Sequence, residues 1–167
     1  MSHPKEADLE ALLQALVDAG IEFIVVGGAA AVLHGAPTTT QDLDIVHRRT
    51  PDNVDRLVAL LDRLGAFIRE PGNRRLQVTS AVLAGPGQHN LTTELGPLDP
   101  VGTLHDGRGY DELVGNSVLM EDGTLRIRVI DLGTLIDIKS STGRNKDKIL
   151  LPILIALRSE DEGSGAA

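Results

Sequence analysis

Cysteine is absent from this chain, which excludes disulfides, thiolate metal sites and cysteine nucleophiles together. Tryptophan is absent too, and two Phe and one Tyr hold the aromatic share to 2%. The core must therefore be aliphatic, and there is no supply of aromatic platforms on which single-stranded bases could stack. No apolar run approaches the roughly 20 residues that cross a bilayer. The N-terminal Met-Ser-His-Pro-Lys-Glu-Ala-Asp lacks the basic start and apolar stretch of a secretory signal. The expectation is a cytoplasmic protein with no membrane partner. Positive charge is also scarce, with 16 Lys and Arg against 24 Asp and Glu and a net charge of −8. A protein living on non-specific phosphate contacts would carry a basic surface, so a general nucleic-acid binder is disfavoured.

What remains is an ordinary globular composition, 41% hydrophobic and 24% charged over 167 residues, enough for one domain with a real core. That domain is expected over residues 1–158. The closing Ser159–Ala167 (SEDEGSGAA) is acidic, then small, a composition that suggests no fixed structure. One local basic cluster stands against the acidic background: Lys139, Arg144, Lys146 and Lys148 beside a single acid, Asp147.

Periodicity supplies the elements. Leu9, Leu12, Leu13, Leu16 and Val17 recur at helical spacing, with Gly20 placed to end a helix over Ala7–Ala19. Glu22–Val26 and Leu43–His47 read as strands, and Ala29–His34 as a short helix between them. Thr50-Pro51 opens a helix carrying Val54, Leu57, Val58, Leu61 and Leu64 on one face. A short helix is expected over Leu76–Leu83, and strand segments over His89–Glu94 and Leu98–Val101. Val118–Glu121 and Leu125–Ile130 flank Asp-Gly-Thr, a hairpin signal. Asp131 caps a helix over Leu132–Ser141, and a last helix spans about Lys146–Arg158. Interleaved strands and helices with a late hairpin predict a single α/β (α+β) domain with a mixed, mainly antiparallel sheet flanked by helices.

The chemistry concentrates in residues 25–46. A strand ends in Gly27-Gly28 and turns into a helix, where glycine allows close backbone approach and a helix start offers N–H groups to phosphate. Taken alone, Gly-Gly after a strand is a tight turn far more often than a phosphate cradle. Asp42-Leu43-Asp44 then places two carboxylates on one face of a strand, their Cα atoms roughly 7 Å apart. Like charges so placed repel unless a cation or proton sits between them, and Mg²⁺ takes oxygen ligands while keeping positions for substrate phosphates. Asp-X-Asp is also common on solvent-facing strands. The spacing joins the two features, because Gly28 precedes Asp42 by 14 residues. That length fits one short helix and a return to an adjacent strand, bringing phosphate turn and acids together as two-metal phosphoryl or nucleotidyl transfer requires.

Gly27-Gly28 followed by Thr40-Gln-Asp-Leu-Asp-Ile45 resembles the signature of the DNA polymerase β-like nucleotidyltransferase superfamily. Leu91–Pro100 resembles its later strand with Asp99 at the third-acid position. Leu135–Asp147 resembles the helix-and-turn motif of small bacterial members related to abortive-infection and toxin–antitoxin nucleotidyltransferases. The resemblance implies that Asp42 and Asp44 bind Mg²⁺ (or Mn²⁺) and that Asp99 is a third ligand or the base. It implies that Gly27 and Gly28 hold the triphosphate through their backbone. Lys139 would meet the β- and γ-phosphates, with Arg144 and Lys146 as helpers oriented by Asp147. The turn departs from the Gly-Ser form of many relatives, and Phe67–Gln88 matches little.

The implied activity is transfer of a nucleoside monophosphate from an NTP such as ATP to an acceptor hydroxyl, releasing pyrophosphate. A tRNA 3′ end, a protein side chain or a small molecule such as an aminoglycoside would each serve as acceptor. An antitoxin-like or oligomeric partner is compatible with the resemblance. The alternative is a non-catalytic nucleotide-binding or protein-interaction module of the same fold, against which three intact acids argue. A glycosyltransferase would need a larger domain ahead of the acids.

Overall fold

The computed structural model describes residues 3–69, 72, 74–142 and 145–165, with backbone alone at 145–147 and 163–165. Its elements run α1 (Leu9–Asp18), β1 (Phe23–Val26), α2 (Gly27–Leu33), β2 (Leu43–His47), α3 (Pro51–Arg63), β3 (Phe67–Arg69), β4 (Arg75–Gln77) and α4 (Ser80–Ala84). They continue with β5 (Leu91–Thr93), β6 (Gly96–Val101), α5 (Tyr110–Leu113), β7 (Ser117–Asp122), β8 (Leu125–Ile130), α6 (Leu132–Thr142) and α7 (Asn145–Gly165). The strands form one sheet in the order β4-β3-β5-β6-β2-β1-β8-β7. Among the described residues β1–β8 and β2–β6 pair in parallel, and the other five pairings are antiparallel. The expected mixed, mainly antiparallel α/β architecture is what the chain adopts.

Local sequence explains most boundaries. Asp8 accepts the Ala11 N–H at 3.1 Å to start α1, and Gly20 leaves it at φ +71°, a conformation that suits glycine. Thr79 accepts the Val82 N–H at 3.3 Å and Asp131 the Thr134 N–H at 2.7 Å, starting α4 and α6. Gly123 takes φ +62° at the tip of the β7–β8 hairpin. The core is aliphatic, with Leu12, Leu16, Ile24, Leu43, Ile45, Leu57, Leu61, Leu98 and Ile130 all sealed from solvent. At the start of β1 the buried Asn53 accepts the Glu22 N–H and donates to the carbonyls of Glu22 and Arg48. That clamps α3 to the β1–β2 pair.

Three expectations need correction. Residues 76–77 belong to β4 rather than to a helix, because the Thr79 cap delays α4 to Ser80. The β3–β4 hairpin, turning at Gly72 with φ +80°, falls in the stretch whose polar composition gave no period to read. Gly27 and Gly28 lie inside the first turn of α2 rather than ahead of it. The last helix passes through the Arg158–Ser159 boundary and continues to Gly165.

Candidate active site

The site is assembled by register. β1 and β2 run antiparallel with Val26 opposite Asp44, and β2 and β6 run parallel with Asp44 opposite Asp99. The C-terminal end of β1, where α2 begins, therefore lies beside the acid-bearing ends of two central strands. Alternation along β2 sends Asp44 to one face and Leu43 and Ile45 into the core, where both are fully buried. Asp42, immediately before the strand, joins the same cluster. One carboxylate oxygen each from Asp42, Asp44 and Asp99 lies within 4.8 Å of the others.

This is an expensive arrangement without a cation. Asp99 is 5% exposed, and its pKa is pushed up to about 9. Burial is the largest cause, followed by its hydrogen bond to Asp42 and by the charges of Asp44 and Asp42. Two carboxyl groups can share a hydrogen bond only if one keeps a proton. In the cation-free chain that proton sits in the cluster at neutral pH. An all-carboxylate set with a closed Asp44 Oδ1 fits a hard divalent ion, whose charge would replace the proton. The three acids could hold such an ion.

The glycines are fitted to these acids. Gly27 has φ +65°, and a Cβ there would run into Oδ2 of Asp44. A Cβ on Gly28 would meet Thr40 Oγ1 at 2.9 Å. The Thr40 hydroxyl in turn donates to the Asp42 carbonyl at 3.0 Å, with the Asp42 carboxylate at 3.4 Å. Gly28, Thr40 and Asp42 thus form one packed chain of contacts, and Thr40 holds the acid in place.

A cavity of about 180 Å³ opens beside Asp44. Gly27, Gly28 and Asp44 line one side, and Leu135, Ile138, Lys139 and Thr142 of α6 line the other. Lys139 is 7% exposed, so its ammonium is held in the wall rather than in bulk water. All six expected residues whose side chains are described thus gather here, Asp42, Asp44 and Asp99 in the cluster and Gly27, Gly28 and Lys139 around the cavity, with Asp44 belonging to both. Arg144 lies outside the described residues, and Lys146 is described only as backbone in α7.

Sequence reasoning missed the cavity's third wall, Gln88 with Thr103, Leu104 and His105. The Ser141 hydroxyl donates to the Ile138 carbonyl at 2.7 Å, so its oxygen accepts the His105 Nε2–H at 2.9 Å. That bond ties the loop after β6 to α6. No local pattern marks these residues, because only the return of the loop across the sheet brings them to the cavity. Two other histidines are structural. His34 Nε2–H donates to the Ile130 carbonyl at 2.8 Å, joining α2 to β8. His47 Nε2–H donates to the Leu83 carbonyl at 2.7 Å, and burial holds its pKa below the usual value.

No protein-family profile and no curated protein matches this sequence. Solved structures do. The lincosamide antibiotic adenylyltransferase LnuA, with lincomycin bound, superposes with a TM-score of 0.63 at 14% identity, covering 92% of this chain and 99% of its own. A putative nucleotidyltransferase from Thermotoga maritima gives 0.54 at 15% identity over 89% and 90%. The antibiotic-resistance factor ANT(2'')-Ia, in a solution structure described as revealing substrate-regulated conformational dynamics, gives 0.52 at 14% over 95% and 91%. The chain has a nucleotidyltransferase fold.

Proposed function

We propose that this protein is a divalent-metal-dependent nucleotidyltransferase that moves a nucleoside monophosphate from an NTP to a hydroxyl of a small molecule. The observation that carries the reading is the acid trio, with Asp99 buried, whose Asp44 lines the same cavity as Gly27, Gly28 and Lys139. Asp42, Asp44 and Asp99 would hold Mg²⁺ or Mn²⁺, which would neutralise charge on the phosphates and favour ionisation of the attacking hydroxyl. Gly27 and Gly28 admit the triphosphate against the backbone, as no larger residue could at Gly27 without displacing Asp44. Lys139 reaches the β- and γ-phosphates from α6 and balances charge on the departing pyrophosphate.

The acceptor oxygen attacks the α-phosphorus, the bond to the pyrophosphate oxygen breaks, and the hydroxyl proton passes to Asp99. Asp99 must first lose its own proton, and binding of the ions supplies the reason for it to do so. Its raised pKa marks a carboxyl whose proton affinity is set by its neighbours, as acid–base groups require. Gln88, Thr103 and His105 remain to orient nucleotide or acceptor.

A small-molecule acceptor is favoured over an RNA 3′ end or a protein side chain by two considerations. The net charge of −8 opposes RNA, and LnuA, whose whole length this chain matches in fold, was solved with an antibiotic bound. The test is incubation with each α-labelled NTP and Mg²⁺ or Mn²⁺, offering lincosamides, aminoglycosides, total RNA and host proteins in parallel. Label on a small molecule, absent with Asp42→Ala and Asp44→Ala, is the expected result. Label on RNA or protein would move the acceptor class. Neither transfer nor metal-dependent NTP binding would leave a non-catalytic module.

A further inference from the structure

The C-terminal helix is apolar on the wrong side as well as the right one. From Ile149 to Leu157 the sequence reads ILLPILIAL, without a polar residue. One face of α7 is satisfied, since Leu150 and Leu154 are buried where the helix packs on α6. The opposite face is not. Ile149 is 76% exposed and Ile155 45%, and Pro152 and Ala156 are exposed between them. At about 100° per residue these four occupy an arc of roughly 120° centred away from α6. A helix that is apolar all round is ordinarily buried all round. Over these two turns α7 therefore lacks a cover among the described residues.

The charges flanking the run indicate what covers it. Lys146 and Lys148 precede it, with Asp147 between them, and Arg158, Glu160, Asp161 and Glu162 follow it, Arg158 lying 4.0 Å from Glu162. The helix thus carries a net positive charge at its start and a net negative charge at its end. A second α7 laid antiparallel across the exposed face would set each cationic start against an acidic end. It would also oppose the two helix dipoles favourably. A two-fold axis near Pro152 and Ile153 would put Ile149 over Ala156 of the partner subunit, and the same contact would recur on the other side of the axis. Such a self-complementary patch is what a two-fold dimer requires. An anionic membrane surface would instead be repelled by Glu160–Glu162, and no described helix is long and apolar enough to cross a membrane.

We propose that the chain forms a homodimer through antiparallel packing of the exposed apolar faces of α7. The dimer would seal the outer side of the helix on which α6 rests, and α6 carries the Lys139 wall of the cavity. This interface is independent of the transfer activity and stands or falls without it.

Analytical ultracentrifugation of the full chain decides it. The wild type is expected to sediment at twice its 17.7 kDa mass at about 50 µM, above the micromolar range in which modest interfaces associate. The double variant Ile149→Glu/Ile155→Glu should sediment as a monomer with an unchanged far-UV spectrum. If that variant fails to fold, a second experiment still decides. The chain has no cysteine, so Pro152→Cys, close to the axis, should form a disulfide-linked dimer under mild oxidation. Thr124→Cys, on the exposed hairpin tip, should not. A monomeric wild type, a dimer that survives the double variant, or Pro152→Cys linking no faster than Thr124→Cys would each overturn the proposal.

Discussion

The two ends of β2 handle charge in opposite ways. At the Arg48 end, Glu22 bonds the guanidinium at 2.9 Å, Asp111 lies 3.2 Å away, and the Tyr110 ring sits 5.8 Å from the guanidinium carbon. Arg48, Glu22 and Asp111 there each have an opposite partner and a side chain that reaches water. At the Asp44 end, three carboxyl groups crowd within 4.8 Å, one of them buried and forced to keep a proton. The strand could fold as well with Asn or Ser at those positions. Charges set singly against their opposites are what folding alone produces, and three acids gathered on one spot mark a place arranged for a ligand.

The largest effect should come from breaking the strained end. Asp42→Ala or Asp44→Ala is expected to lower transfer on the order of 10³-fold, the weight of a metal ligand in charge stabilisation, with the fold intact by circular dichroism. Asp111→Ala at the other end should leave kcat/KM unchanged, since its ion pair is exposed. Equal losses at both ends would erase the distinction drawn between them.

Next is Gly27→Ala. The added Cβ meets the Asp44 carboxylate at a positive φ, so it should cost about 1–3 kcal/mol of stability and most of the activity. Denaturant unfolding and a rate assay check the two separately. Lys139→Met should raise KM for NTP about tenfold and lower kcat as well while keeping the helix, because the ammonium is asked to bind phosphates and to balance the departing pyrophosphate rather than to support α6. A change in kcat alone would assign it to the transition state instead.

The most particular expectation concerns pH. Asp99 holds its proton to about pH 9 when folded and releases it near 3.8 when unfolded. Between those values the folded state binds the extra proton, so the stability of cation-free protein should fall as pH rises from about 4 to about 9. Asp99→Asn should flatten that slope and raise the melting temperature of the cation-free protein at pH 8, while abolishing transfer. An unchanged pH slope in Asp99→Asn would show that the cluster does not share a proton.

The contrast also explains what could be read from sequence. Asp42, Asp44 and Leu43–His47 were legible because strand alternation fixes their faces within five residues, and Gly27-Gly28 because backbone constraints are local. Asp99 lies far along the chain, and only the parallel β2–β6 register sets it opposite Asp44. Family resemblance pointed to it, whereas periodicity could not. His105, Thr103 and Gln88 were invisible for the same reason without that aid. The β3–β4 hairpin was missed because Arg75, Leu76 and Gln77 are all exposed, which leaves no alternation to see.

The most direct test of the acid cluster as a cation site is calorimetric titration of Mn²⁺ into the NTP-loaded protein, in two buffers of different ionisation enthalpy at pH 7.5. Binding should release about one proton per chain, the one held by Asp99, and Asp99→Asn should bind more weakly with no release. Mn²⁺ binding that releases no proton and survives Asp42→Ala, Asp44→Ala and Asp99→Asn unchanged would contradict the account.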